Sequence, residues 1–223
     1  TLTQLWLRRA VQNAPTPEIE EQLARDYARV RRENPFRFSI TGGVKPSSNV
    51  NNGADTAQQV IDGLPFTGRL SGSAQALSGI VGTVDAVVGY RLRSTQKTRT
   101  DLSGRLFVQR VALDSGSHDL APEARNSDFG ATYADVSLRQ SFAVGAAGGS
   151  ADVTGSLGEY WSGGDRSYSF MRVGVGRRWQ LSASTSVSMG ATLEKRFSDR
   201  TSYFDSNTVS LIVGSQHKLA WGD

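Results

Sequence analysis

The chain contains no cysteine. That absence removes disulfides, thiolate metal sites and thiol catalysis together, and leaves the compartment open. Histidine is scarce: His118 and His217 are the only two, and neither sits in a run with metal-ligand spacing. Both read as solvated. No stretch approaches 18 consecutive apolar residues, so no transmembrane helix is expected. Hydrophobic residues make up only 38% of the 223, and the mean hydropathy is -0.35. Motifs that carry chemistry are equally sparse. Ser115 and Asp119 flank His118 as in a hydrolytic triad, but a mobile polar loop is a poor scaffold for one. Gly145, Gly148 and Gly149 join two extended segments with no helix to follow, which is turn chemistry and not a phosphate cradle. Asp165 with Arg166, and Asp199 with Arg200, read as solvated loop charges. No catalytic residue, metal site or cofactor is expected, and the chain is not expected to be an enzyme.

Glycine, by contrast, is abundant, at 24 residues, where about 7% of the chain is usual. Chains rich in glycine and serine can be disordered; here apolar and polar residues alternate too regularly for that. The net charge is +4, with cations spread along the chain. Nucleic-acid binding would need them clustered on one face, so nucleic acid is not an expected partner.

Residues 1–33 read as helical. Leu2, Leu5, Trp6 and Ala10 share one face, and Asn13 and Pro15 end it. Thr16, Pro17 and the early acids Glu18, Glu20 and Glu21 are start signals for a second helix, whose stripe is Ile19, Leu23, Tyr27 and Val30. Arg29, Arg31 and Arg32 complement the dipole at its end. Such a pair resembles the last unit of a helical repeat array of the tetratricopeptide kind; a simple helical extension is the alternative.

From Pro35 onward the period becomes two. Apolar alternation marks strands near 36–44, 80–92, 99–109, 134–142, 152–157, 171–179, 186–196 and 208–216. Connections fall into two sizes. Those near 93–97, 143–149 and 180–184 are short; those at 46–78, 114–127 and 197–206 are long, and 162–166 is a short exception. Long alternating strands with short turns on one side and long loops on the other predict an antiparallel transmembrane β-barrel over 35–223, eight strands of a larger barrel, behind a short helical pair. A soluble sandwich also alternates, with strands usually nearer 5–6 residues. The polar face carries the candidate lumen residues Arg99, Arg105, Asp135, Arg139, Arg172, Glu194 and Arg196, whose burial in a dry core would cost several kcal/mol each. Tyr90, Phe142, Tyr160, Trp161, Trp179, Phe197 and Trp221 lie near strand ends and fit interfacial girdles. Thr1 is expected to lie inside a longer gene product, and the turn chemistry of 219–223 is expected to lead into a ninth strand.

The order of features resembles the surface lipoprotein assembly modifier family, the outer-membrane part of type XI secretion systems. The resemblance rests on the junction Glu33, Asn34, Pro35, Phe36 and the stretch Val44, Lys45, Pro46, Ser47, Ser48, Asn49, Val50, Asn51, Asn52. It extends to Gly63, Leu64, Pro65, Phe66, then 160–165, and Leu219, Ala220, Trp221, Gly222. It implies periplasmic repeats that engage cargo and a barrel in outer-membrane lipid that helps deliver lipoproteins or soluble carrier proteins to the cell surface. A general porin or small-solute channel is the alternative reading, and an adhesive barrel a third. Long loops outward and helices inward imply that a tag near Ser117 is reached from outside and one near Gly148 is not. The face assignment gives a first test. Val136→Arg on the lipid side should cost roughly 2–4 kcal/mol near the midplane, and Ser137→Arg on the other side far less. The measurement is folding into vesicles; equal effects overturn the assignment.

Overall fold

The computed structural model describes residues 2–60, 67–145 and 148–218. Two helices come first, α1 (Leu2–Gln12) and α2 (Pro17–Glu33). Strand β1 (Phe36–Ser47) follows, then a short pair, β2 (Gln58–Val60) and β3 (Thr67–Arg69). Next come β4 (Gly79–Ser94), β5 (Thr98–Leu113), a short helix α3 (Ser115–Leu120), β6 (Ala131–Ala143) and β7 (Ser150–Ser162). Strands β8 (Asp165–Gln180), β9 (Thr185–Ser198) and β10 (Ser206–His217) complete the order.

The helices begin and end where the sequence signals them. The Thr16 hydroxyl accepts from the Ile19 N–H at 3.5 Å, and Pro17 takes the first helical position of α2. The Glu18 carboxyl is held below its usual range, first by its own backbone N–H and then by the Thr16 side chain. The two helices pack on each other. Leu5 and Trp6 stay largely exposed, so the pair leaves apolar surface uncovered.

The protein is mainly β. Eight strands form one antiparallel sheet in the order β1-β4-β5-β6-β7-β8-β9-β10, every neighbour in the sheet joined by a single connection. The sheet is not closed: no pairing joins β1 to β10 among the described residues. The eight sequence-predicted strands are these eight. The short connections after β4, β6 and β8 start at the same end of the sheet as α2, and those after β1, β5 and β9 start at the other end. The exceptional hairpin between β7 and β8 is short because Gly163 and Gly164, at φ +66° and +95°, make a two-residue turn that suits the strand twist. The expected turn at 219–223, with Trp221, and the stretch Gly63 to Phe66 lie outside the described residues.

The long connections are not the polar loops the sequence suggests. Between β1 and β4, β2 pairs with β3, and the asparagine stretch organises what surrounds it. Asn51 donates to the carbonyls of Ser73 and Gln75 at 3.1 and 2.7 Å and accepts from the Leu77 N–H at 2.9 Å. Asn49 exchanges two hydrogen bonds with the Gly53 backbone, each 2.9 Å. A side-chain amide can act as both donor and acceptor, so it serves loop backbone that has no ladder. The loop after β5 is likewise folded: Asp114 caps α3 through Ser117 at 2.8 Å and accepts from the Ser78 hydroxyl. The Ser78 hydroxyl and the backbone and side chain of Ser117, named in that order of weight, hold the Asp114 carboxyl below its usual range. The Ser117 hydroxyl in turn bonds both the N–H and the carbonyl of Ser78.

These bonds close a small cap over the loop end of the sheet. Its core is Leu77, Ala121 and Ala124 from the loops with Val81, Val111 and Leu113 from β4 and β5, and Val50 and Phe129 pack on it. Gly72 fits there only because it lacks a side chain, since an added Cβ would lie 1.7 Å from the Leu120 carbonyl oxygen. Gly72→Ala should therefore destabilise the cap by roughly 1–3 kcal/mol, the usual range for overpacking. Gly43→Ala on β1, where a Cβ meets nothing within 4 Å, is the control. Limited proteolysis of the 114–130 loop measures the difference; equal cleavage rates would show the cap to be loose.

Candidate functional site

Strand register sorts the side chains onto two faces. Ser137 faces Ser156 across β6 and β7, Ser156 faces Arg172, and Arg172 faces Glu194. The seven sequence-predicted lumen residues all lie on this one face: Arg99 and Arg105 on β5, Asp135 and Arg139 on β6, Arg172 on β8, Glu194 and Arg196 on β9. The opposite face is apolar and exposed, as at Phe38 (67%), Val44 (77%), Leu157 (64%) and Leu211 (75%). Burial runs the other way from a soluble protein. Phe170, Ser156, Ser186 and Glu194, all on the polar face, are 3%, 7%, 5% and 9% exposed. Side chains crowd on the inside of a bent sheet and splay on its outside, so the polar face is the concave one.

Six arginines of that face are ion-paired. Glu194 holds two arginines, accepting from Arg172 Nε at 2.7 Å and Arg196 Nε at 2.6 Å. Asp101 likewise receives Arg37 and Arg99, each at 2.8 Å. Arg139 pairs with Asp152 at 2.8 Å. Arg105 does not pair with Asp135, its neighbour across the ladder. It makes a bidentate pair with Asp85 at 2.9 and 2.6 Å, and Asp135 accepts from the Tyr133 hydroxyl at 2.5 Å. Cations still exceed carboxylates here. Arg37, Lys45, Arg91, Arg99, Arg105, Arg139, Arg172, Arg178 and Arg196 share the face with Asp85, Asp101, Asp135, Asp152, Asp165 and Glu194, nine against six. A hollow of about 650 Å³ opens toward the helix end between Arg139, Asp152, Arg172 and Arg178.

The sequence reading missed the aromatic part of this wall. Tyr133 stacks on Phe170 at 5.5 Å, and Tyr160 on Tyr168 at 5.2 Å. Arg172 lies over Phe170 at 4.9 Å and Arg196 over Tyr168 at 4.8 Å. Phe170 covers the backbone of Gly158, where a Cβ would meet its ring at 2.5 Å. A glycine opposite an aromatic on a neighbouring strand was the available signal. Tyr160 is thus a correction to the proposed girdle, because register turns it inward onto Tyr168. Tyr90, Phe142, Trp179 and Phe197 stay on the apolar face, partly exposed.

Two further corrections concern the loop end. Arg166 is not solvated alone: it pairs with Asp199 and, at 3.3 Å, with Glu159. Ser117, 3% exposed, is buried in the cap and cannot take a tag without breaking it. Tyr203, 87% exposed, is the open position at that end. Among the described residues no cluster of acids and histidines could hold a metal, and no helix is long and apolar enough to cross a membrane. Comparison with family models, curated proteins and solved structures finds no match.

The arrangement offers a charged wall with ion pairs and stacked rings. Glu194→Gln would leave two guanidinium groups without a charged partner in a crowded site. It should cost roughly 1.5–3 kcal/mol, whereas Asp85→Asn, whose pair is more exposed, should cost under about 1 kcal/mol. Urea unfolding from detergent micelles measures both. Equal costs would mean that the crowding of Glu194 does not strengthen its pairs.

Proposed function

We propose that the sheet is part of the wall of a β-barrel in the bacterial outer membrane, with the residues 1–33 periplasmic. The observation that supports it most directly is that the exposed face is the apolar one. On β8 that face runs from Met171 to Trp179, nine residues, with Arg177 as its one charge, next to the helix end. At a rise of about 3.3 Å and a tilt of about 40° this spans roughly 23 Å, close to the apolar band of about 25 Å on such barrels. Cations beside aromatics mark both borders: Arg177 over Trp179 at 5.6 Å near the helix end, Lys195 over Phe197 at 5.1 Å near the loop end. In lipid, the free edges of β1 and β10 need strand partners, so the proposed barrel has more than these eight strands.

The barrel's role, in this reading, is that of a translocon that helps deliver lipoproteins or carrier proteins to the cell surface. Three features favour export over a general porin. A helical pair with Leu5 and Trp6 uncovered stands at the end where cargo would arrive. The junction 33–52 resembles that of the surface lipoprotein assembly modifiers. The concave wall is lined with rings and paired charges, which a polypeptide can pass without stripping bare ions.

Two measurements test this. A tag at Tyr203 should be labelled on intact cells and one at Gly148 should not; the reverse pattern overturns the orientation. Deleting the gene should remove one or more lipoproteins from surface labelling while their total amount stays constant. Unchanged surface lipoproteins, with small-solute flux through protein-loaded vesicles, would make it a porin.

A further inference from the structure

Arg110 lies on the apolar face of β5, in line with Leu102, Leu106 and Val108, near the loop end. Its guanidinium is held in place by three acceptors: the carbonyls of Gln109 and Ala131 at 2.7 and 3.1 Å, and the Thr132 hydroxyl at 3.2 Å. All are neutral. Among the described residues no carboxylate lies within ion-pair distance of it. Arg166, at the same end of the sheet, shows the contrast, with its two acidic partners. A guanidinium fixed at an apolar surface, with donors left over and no counter-charge from the protein, is prepared for an external anion.

The surface around it defines which anion. Two outward grooves meet at Arg110. One, about 530 Å³, runs over Gly42, Gly82, Val84 and Val108, where the missing glycine side chains lower the floor. The other, about 480 Å³, runs over Leu106, Ala134 and Trp161. A soluble phosphate would use the guanidinium and leave both grooves empty. An anionic phospholipid or phosphorylated glycolipid would use all three, with its phosphate on Arg110 and an acyl chain in each groove.

We propose that Arg110 with these grooves is a binding site for an anionic lipid of the leaflet facing the long loops. This rests on the membrane reading above. The test uses the full-length protein in phosphatidylcholine vesicles, with quenching of Trp161 fluorescence by brominated lipid; Trp161→Phe supplies the difference signal. Brominated phosphatidylglycerol should bind near Trp161 roughly fivefold more tightly than brominated phosphatidylcholine, the size expected for one basic residue at an anionic surface. Arg110→Gln should abolish the preference. Gly82→Leu, which fills one groove and keeps the charge, should weaken it. Millimolar inorganic phosphate should leave it unchanged. Equal quenching by both lipids in the wild-type protein overturns the site and leaves the membrane reading intact. Displacement by inorganic phosphate reassigns Arg110 to a free anion. No quenching of Trp161 by either lipid means this face is not in lipid, and both proposals fall.

Discussion

Antiparallel pairing in continuous register is the constraint on which the other features depend. Side chains alternate along a strand, so each ladder carries its neighbour's polarity across unchanged. The line Ser137, Ser156, Arg172, Glu194 is one consequence, and the line Val153, Val175, Ala191, Leu211 on the other face is another. A slip of one residue in any hairpin would put arginine among the apolar residues and valine among the ion pairs. Once the faces are fixed, bending decides which of them crowds, and here it is the polar one.

Crowding explains how a charged face becomes the better-packed side. The rings of Tyr133, Tyr160, Tyr168 and Phe170 fill space that a soluble sheet fills with aliphatic side chains, and arginines stack on them. Glu194 and Asp101 each accept from two guanidinium groups, which lets one carboxylate serve two strands. The apolar core that does exist is at the loop end. There the concave positions change to Val81, Val111 and Leu113 because the loops fold onto them and exclude water.

The asymmetry between the two ends follows from the connections. At the helix end the turns are tight and add no layer. At the other end Val50 and Leu77 from the connection after β1 pack with Ala121, Ala124 and Phe129 from the one after β5, tied through Asn51, Asp114 and Ser117. The wall is therefore open toward the helices and partly covered toward the loops.

Alternation and turn chemistry are local, and the sequence alone determined what depends on them: the helical pair with its Thr16 cap, eight of the strands, the two classes of connection, and the common face of Arg99, Arg105, Asp135, Arg139, Arg172, Glu194 and Arg196. Contacts between distant segments were decided only by the tertiary structure. Which carboxylate Arg105 takes depends on the stagger of three strands, and Asp85 wins over the adjacent Asp135. Tyr160 and Trp161 are neighbours in sequence, yet register sends one ring inward and leaves the other on the apolar face. The cap was illegible for the same reason: Ser117 reads as a polar loop residue until Ser78, 39 positions earlier, is brought against it. Burial is a property of what arrives from elsewhere in the chain, and no local pattern encodes it.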